Sequence, residues 1–287
     1  MEDKGGKISW RLERPGVEAK PFAITDVLGF SEAIRTHTLE QVYANYILFV
    51  VMAWVSRPPG LIGSPELLVV SDTVLAFPGT GTSGEQALRG MVEYLALLLY
   101  NAIIMPGMLP ETWPHVLALP VRGGLSYGSL IADSAHQIRF TGSSKPVPSF
   151  PLVLGKPVVD AYCWEQEQKW VGASVDPRCR KQIDEAHPGL LDRLREEGFL
   201  IQWDVPTKHG PVPALAVNYV WRKEEGERLR ERLGQCEEKA RASADLSVAA
   251  KYLAVRRFVE YTLEHDVYNP TDPARGSGAP AEAQDGA

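Results

Sequence analysis

The sequence predicts an α+β domain: a mixed sheet with helices over one face, continued by a strand and helix extension. Two observations carry this. Apolar runs alternate with helical repeats in the order strand, helix, hairpin, helix, strand, helix, strand over residues 20–176. Of the 287 residues 45% are hydrophobic and 23% charged, the balance of an ordinary globular chain with room for one large domain and an appendage.

Residues 1–18 are polar and expected to be a flexible N-terminus. Residues 22–25 read as a short strand and 31–38 as a short helix or turn. Residues 39–55 repeat apolar side chains at Val42, Tyr46, Phe49, Val50 and Trp54, a helical spacing closed by Pro58, Pro59 and Gly60. Residues 67–70 and 73–77 form a hairpin with Ser71 and Asp72 at its tip. After a glycine loop at 79–84, residues 85–105 are apolar on most sides, so this helix is expected to be buried.

Residues 116–121 and 125–131 read as strands interrupted by Arg122-Gly123-Gly124, and 141–150 as a Ser/Pro-rich loop. Pro157 suits a helix start; Val159, Tyr162, Cys163, Gln166 and Trp170 fall on one face, with Glu165 and Lys169 at i,i+4 spacing. Strands at 171–175, 199–204 and 214–219 follow, then helices at 222–242 and 244–264 and a disordered Pro/Ala/Gly tail. The domain limits expected are 19–176 for the main unit, 177–266 for the extension and 267–287 for the tail.

The net charge of −6 argues against DNA or RNA binding by the whole surface. The first residues lack an apolar signal region, and the apolar stretches at 46–55 and 94–105 are shorter than a membrane span. Three scattered cysteines match neither a disulfide framework nor a zinc site, so the expected location is cytoplasmic.

Asp26 and Asp72 each close an apolar run and open a tight turn. One such aspartate usually caps the next helix or makes an Asx turn. Two on neighbouring strands can hold divalent metal ions and, through them, a triphosphate.

Four segments, in order, resemble the class III nucleotide cyclase homology domain: Asp26-Val-Leu-Gly29-Phe30-Ser31, Ser71-Asp72, Arg122-Gly123-Gly124-Leu-Ser-Tyr-Gly128, and Gly155-Lys-Pro-Val158-Val159. They are similar to that family's Asp-Ile-x-Gly-Phe-Thr strand, Gly-Asp hairpin, Arg-Val-Gly strand and Gly-x-x-Val-Asn helix start. The wording DVLGF, SDTVLAF, VRGGLSYG and GKPVVDAYCWEQEQ further resembles the bacterial pyrimidine (uridylate or cytidylate) cyclases of Pycsar antiphage systems.

The resemblance implies a ferredoxin-like, class III cyclase-like sheet and a homodimer acting on UTP or CTP. It also implies a cyclic UMP or cyclic CMP messenger for antiviral defence, read by a separate cyclic-nucleotide-sensing effector. Asp26, the carbonyl of Val27 and Asp72 would bind two divalent cations, Mn²⁺ or Mg²⁺. The N–H groups of Leu28, Gly29, Phe30 and Ser31 would cradle phosphate, and Arg122 would contact it.

The purine-reading positions hold Leu68 and Leu152, neither of which hydrogen-bonds a base edge. Phe22, Tyr162 and Trp164 are candidates to narrow the base pocket, against a plain core role. The family's helix Asn and Arg fall at Val159 and Cys163, so Arg122 with a cation such as Lys169 supplies the charge, or turnover has been lost. Two alternatives therefore stay open: a catalytically degenerate binding protein of the same fold, and a purine cyclase with relocated base contacts.

Overall fold

A computed structural model describes residues 9–11, 16–57, 64–79, 81–82, 84–107, 120–137, 139–141 and 149–270. The sequence-predicted helix stop at Pro58, the strand start at 116, the body of the 141–150 loop and the tail beyond 270 lie outside them.

Strand β1 (Ser9–Arg11) falls in the N-terminal stretch expected to be flexible. Strand β2 (Glu18–Val27) leads through Gly29, at φ +84°, into α1 (Phe30–Thr36). Helix α2 (Leu39–Val55) has the length the repeat predicts, because Thr38 and Gln41 form a reciprocal capping box at its start. Its buried face is Val42, Asn45, Leu48, Phe49, Met52 and Ala53. Trp54, a member of the repeat read from the sequence, is exposed, one position beyond Ala53 of the buried face.

The hairpin β3 (Pro65–Val70) and β4 (Thr73–Pro78) turns at Ser71, which adopts φ +55°. Helix α3 (Gly84–Ile104) is long and apolar enough to cross a membrane, yet most of it is buried as the central core helix.

The predicted interruption at Arg122-Gly-Gly is absent, because β5 (Val121–Gln137) runs straight through it. Close packing explains the glycines. A Cβ on Gly124 would stand 2.5 Å from the carbonyl oxygen of Ala161, and one on Gly123 would be wedged between Thr25 and Ala173.

The chain continues as β6 (Arg139–Thr141), β7 (Ser149–Gly155), α4 (Lys156–Glu167) and β8 (Gly172–Val175). Two seven-residue helices, α5 (Arg180–Ala186) and α6 (Leu190–Glu196), precede β9 (Leu200–Thr207) and β10 (Gly210–Val217). A hairpin of long helices, α7 (Lys223–Ala242) and α8 (Leu246–Glu264), closes the order. Asn269, assigned to the tail by sequence, is buried and donates its backbone N–H to Val220.

The main sheet has eight strands in the order β3-β4-β2-β5-β8-β10-β9, with β7 also on β5; β1 pairs separately with β6. The β5–β8 pair is parallel and the others antiparallel, so the sheet is mixed as predicted. On β2, Ala23 and Val27 join the core built by α2 and α3. Phe22 and Ile24 point to the other face and pack with Phe77, Leu130 and Ala161.

That second face carries α4, whose buried residues are Pro157, Ala161, Trp164 and Glu165. The side that carries Val159 and Tyr162 is turned outward, with Val159 60% and Tyr162 53% exposed. The glycines of β5 set this orientation, since they admit the Ala161 and Glu165 side of the helix to the sheet.

Candidate active site

Strand pairing brings Asp26 and Asp72 together. Asp26 lies opposite Thr73, and the Val27 N–H donates to the Asp72 carbonyl over 3.1 Å. The Thr73 hydroxyl donates to the Asp26 carboxylate at 3.1 Å. On the other side Asp26 lies opposite Arg122 of β5. Both aspartates are half-buried at the open end of their strands.

The Asp26 carboxyl is pushed up to about 6, first by burial and then by the negative charges of Asp72 and Glu165. The Thr73 hydrogen bond and Arg122 oppose that rise without cancelling it. Two converging carboxylates whose repulsion is unrelieved form a donor set that suits a hard divalent cation. Among the described residues no cluster of three or more His, Cys, Asp or Glu stands ready to hold a metal. Two carboxylates are nonetheless what Mg²⁺ or Mn²⁺ takes when water and substrate phosphates complete the shell. The residues fit that group.

The raised value has a consequence for stability. Between the ordinary 3.8 and about 6, folded Asp26 keeps a proton that the unfolded chain has released. Stability of the metal-free protein therefore falls as pH rises through that window and stays lowered above it. Asp26→Asn is expected to stabilise the metal-free protein at pH 7 by about 1–2 kcal/mol, after allowance for partial solvent screening. The gain should vanish near pH 4, which thermal unfolding at the two pH values checks.

The turn after Asp26 is built for close approach. Gly29 takes the left-handed conformation with open space where a Cβ would be, and its carbonyl accepts from Ala33 to begin α1. The Leu28 N–H donates to Pro120 at 2.8 Å and is not available to an anion, which narrows the expected cradle to Gly29, Phe30 and Ser31.

Arg122 is placed differently from the expected exposed phosphate ligand. It is 6% exposed; its Nε donates to Glu165 and its Nη1 to the Gln168 carbonyl at 2.9 Å. The Gln168 side chain donates in turn to the Gly123 carbonyl and accepts from Trp170 and Ser174. Burial raises the Glu165 carboxyl while the Arg122 guanidinium pulls it down. Glu165 therefore pairs with Arg122, not with Lys169, which lies beyond the end of α4. Sequence reasoning missed Glu165 and Gln168 as members of the site; 43 residues separate Arg122 from its partner.

The predicted base-pocket residues separate. Phe22 is 0% exposed within the second-face cluster, and buried Trp164 donates to Ser174, so both are core residues. Leu68 joins the same cluster at its margin. Strand alternation sends Leu152 to the opposite face and turns Val153 to the face that Leu68 shares, on a strand separated from it by three others. Tyr162 remains on the outward side of α4 with Val159.

Comparison with models of known protein families and with curated proteins finds no match. Among solved structures the chain is similar to a bacterial light-regulated adenylyl cyclase, at 17% identity and TM-score 0.45, over 58% of this chain and 46% of that one. It thus spans about half the length of that enzyme. It is also similar to the adenylyl cyclase CyaB from P. aeruginosa, at 14% identity and TM-score 0.44, over 70% of this chain and 95% of that one. The guanylate cyclase domain of RhGC from Catenaria anguillulae matches at 14% identity and TM-score 0.46, over 70% and 96% of the two chains.

Proposed function

We propose that the protein is a homodimeric nucleotide cyclase that converts UTP or CTP into the cyclic nucleotide and pyrophosphate. The observation that carries this is the convergence of Asp26 and Asp72 on a glycine turn, with their mutual repulsion unrelieved. The sequence resemblance places the same two aspartates in a cyclase metal site. Bound there, with the Val27 carbonyl as a further donor, Mg²⁺ or Mn²⁺ ions would acidify the ribose 3′-hydroxyl and neutralise the triphosphate. The chain's own part is to hold the 3′-oxygen in line with the α-phosphorus, and such positioning contributes much of the rate in phosphoryl transfer.

A pyrimidine is favoured by the Pycsar resemblance, with Leu68 offering no hydrogen bond to a purine edge and Leu152 turned to the opposite face. The antiviral role and the separate effector follow from the Pycsar resemblance; a cytoplasmic setting is proposed from the three scattered cysteines. The dimer is supported by Val159 and Tyr162, which form an exposed apolar side on the helix that completes related sites across a two-fold axis.

Val159 and Cys163, at positions where related helices carry Asn and Arg, favour the second reading: a cyclase-fold binding protein without turnover. The dimer separates the two. Specific activity should fall on dilution in step with the dimer fraction measured by sedimentation. Tyr162→Asp, which charges the α4 surface, should yield a folded monomer without activity. Full activity in a monomer would overturn the shared-site proposal.

A further inference from the structure

The hairpin of α7 and α8 meets the end of the β2–β5 strand pair across a cleft of ≈240 Å³. Leu28 and Pro120 form one wall. They flank the strand pair that carries Asp26 and Arg122, and the Leu28 N–H donates to the Pro120 carbonyl at 2.8 Å. Ala240, Val248 and Tyr252 form the facing wall, and the exposed Lys239, Ser243 and Asp245 make the rim. Both walls are fixed from within. Buried Glu237 of α7 pairs with Arg256 of α8 at 2.9 Å, and the hairpin packs through Leu229, Leu233 and Val255. The cleft therefore does not close without breaking those contacts.

The apolar walls suit an apolar body. An apolar cavity of about 150 Å³ holds benzene, so this cleft has room for about ten non-hydrogen atoms, a ring with a short chain. A nucleoside triphosphate is too large for it. Among the described lining residues the charges are those of Lys239 and Asp245. Burial pushes up both the Cys236 thiol and the Tyr252 hydroxyl, which stay neutral. Asp245 is committed: it caps α8, accepting from the Val248 N–H at 3.0 Å, where the helix N-terminus offsets its charge. Arg241 of the same α7 turn is paired with Glu237, whereas Lys239 has no ion-pair partner among the described residues. The uncommitted charge at the rim is positive.

We propose that the cleft binds a small monocarboxylic acid of that size, its ring or chain between Leu28, Pro120, Val248 and Tyr252 and its carboxylate on Lys239 and the Ser243 hydroxyl. It is a second ligand site beside the turn that follows Asp26, and it does not depend on what the carboxylate pair does.

The probes are 3-phenylpropionate and its uncharged amide, 3-phenylpropanamide, titrated into the full-length protein and followed by ligand-observed NMR. The wild type should bind the acid at millimolar concentrations or below, more weakly as salt rises. The amide should bind about tenfold more weakly, the size of a charged hydrogen bond. Lys239→Met, an exposed position where the fold is not at stake, should bind the acid as weakly as the amide and leave amide binding unchanged. Val248→Trp, which fills the cleft, should bind neither probe while circular dichroism stays that of the wild type. No binding of the acid by the wild type would overturn the proposal, as would acid binding that Lys239→Met leaves intact. Equal binding of acid and amide would show a plain apolar cleft and overturn it too. If Val248→Trp does not fold, Lys239→Met and the acid–amide comparison still decide. None of these readouts involves turnover, so failure here leaves the cyclase reading standing, and absence of cyclic product leaves this site standing.

Discussion

Asp26→Ala and Asp72→Ala should each reduce cyclic-nucleotide formation to the assay background while leaving the fold intact. Either carboxylate alone is too little charge to hold metal ions against water, and loss of one also releases its partner from the repulsion that made the site a cation trap. The fold should survive because the Asp26 carboxylate accepts one side-chain hydrogen bond, from Thr73, and its burial is a net cost. Mn²⁺ affinity and activity should fall together, with circular dichroism unchanged. Full activity of either variant in Mn²⁺ would remove the metal assignment.

The second large effect is on stability. Glu165→Ala should destabilise the protein by about 3–5 kcal/mol, because it strands the buried Arg122 guanidinium without a counter-charge. The loss would spread, since Arg122 also holds the Gln168 carbonyl, and Gln168 ties together Gly123, Trp170 and Ser174. Replacing both partners by apolar residues, Arg122→Met with Glu165→Leu, should recover much of the stability, as no charge is then left unpaired. Urea unfolding of the single and double variants checks this. A Glu165→Ala loss below about 1 kcal/mol would show that the pair is not a structural clasp.

What could be read from the sequence was local. The limits of α2 were legible from its apolar repeat and the Pro58-Pro59-Gly60 that follows it, and the β3–β4 hairpin because a polar pair separates two apolar runs. The direction in which a helix faces was harder to read. Val159, Tyr162 and Cys163 look like a core stripe until the sheet beneath is known to offer glycines to Ala161 and Glu165. Helices α5 and α6 escaped notice because each is two turns long and buries only Ile183 or a Leu190, Leu191 and Leu194 set.

At the site the same division holds. Asp26 and Asp72 could be paired because each marks a strand end, and adjacent antiparallel strands bring such ends together. The Arg122–Glu165 pair depends on a contact between distant segments, for which the sequence carries no local periodicity.

The measurement that bears most directly on the central claim is incubation of the purified protein with Mn²⁺ and each of ATP, GTP, UTP and CTP, with products identified by mass spectrometry. The account predicts cyclic UMP or cyclic CMP as the main product, with pyrophosphate in equal amount. Cyclic AMP or cyclic GMP as the main product would overturn the base assignment and leave the metal site standing. No cyclic product from any of the four would contradict the cyclase account itself.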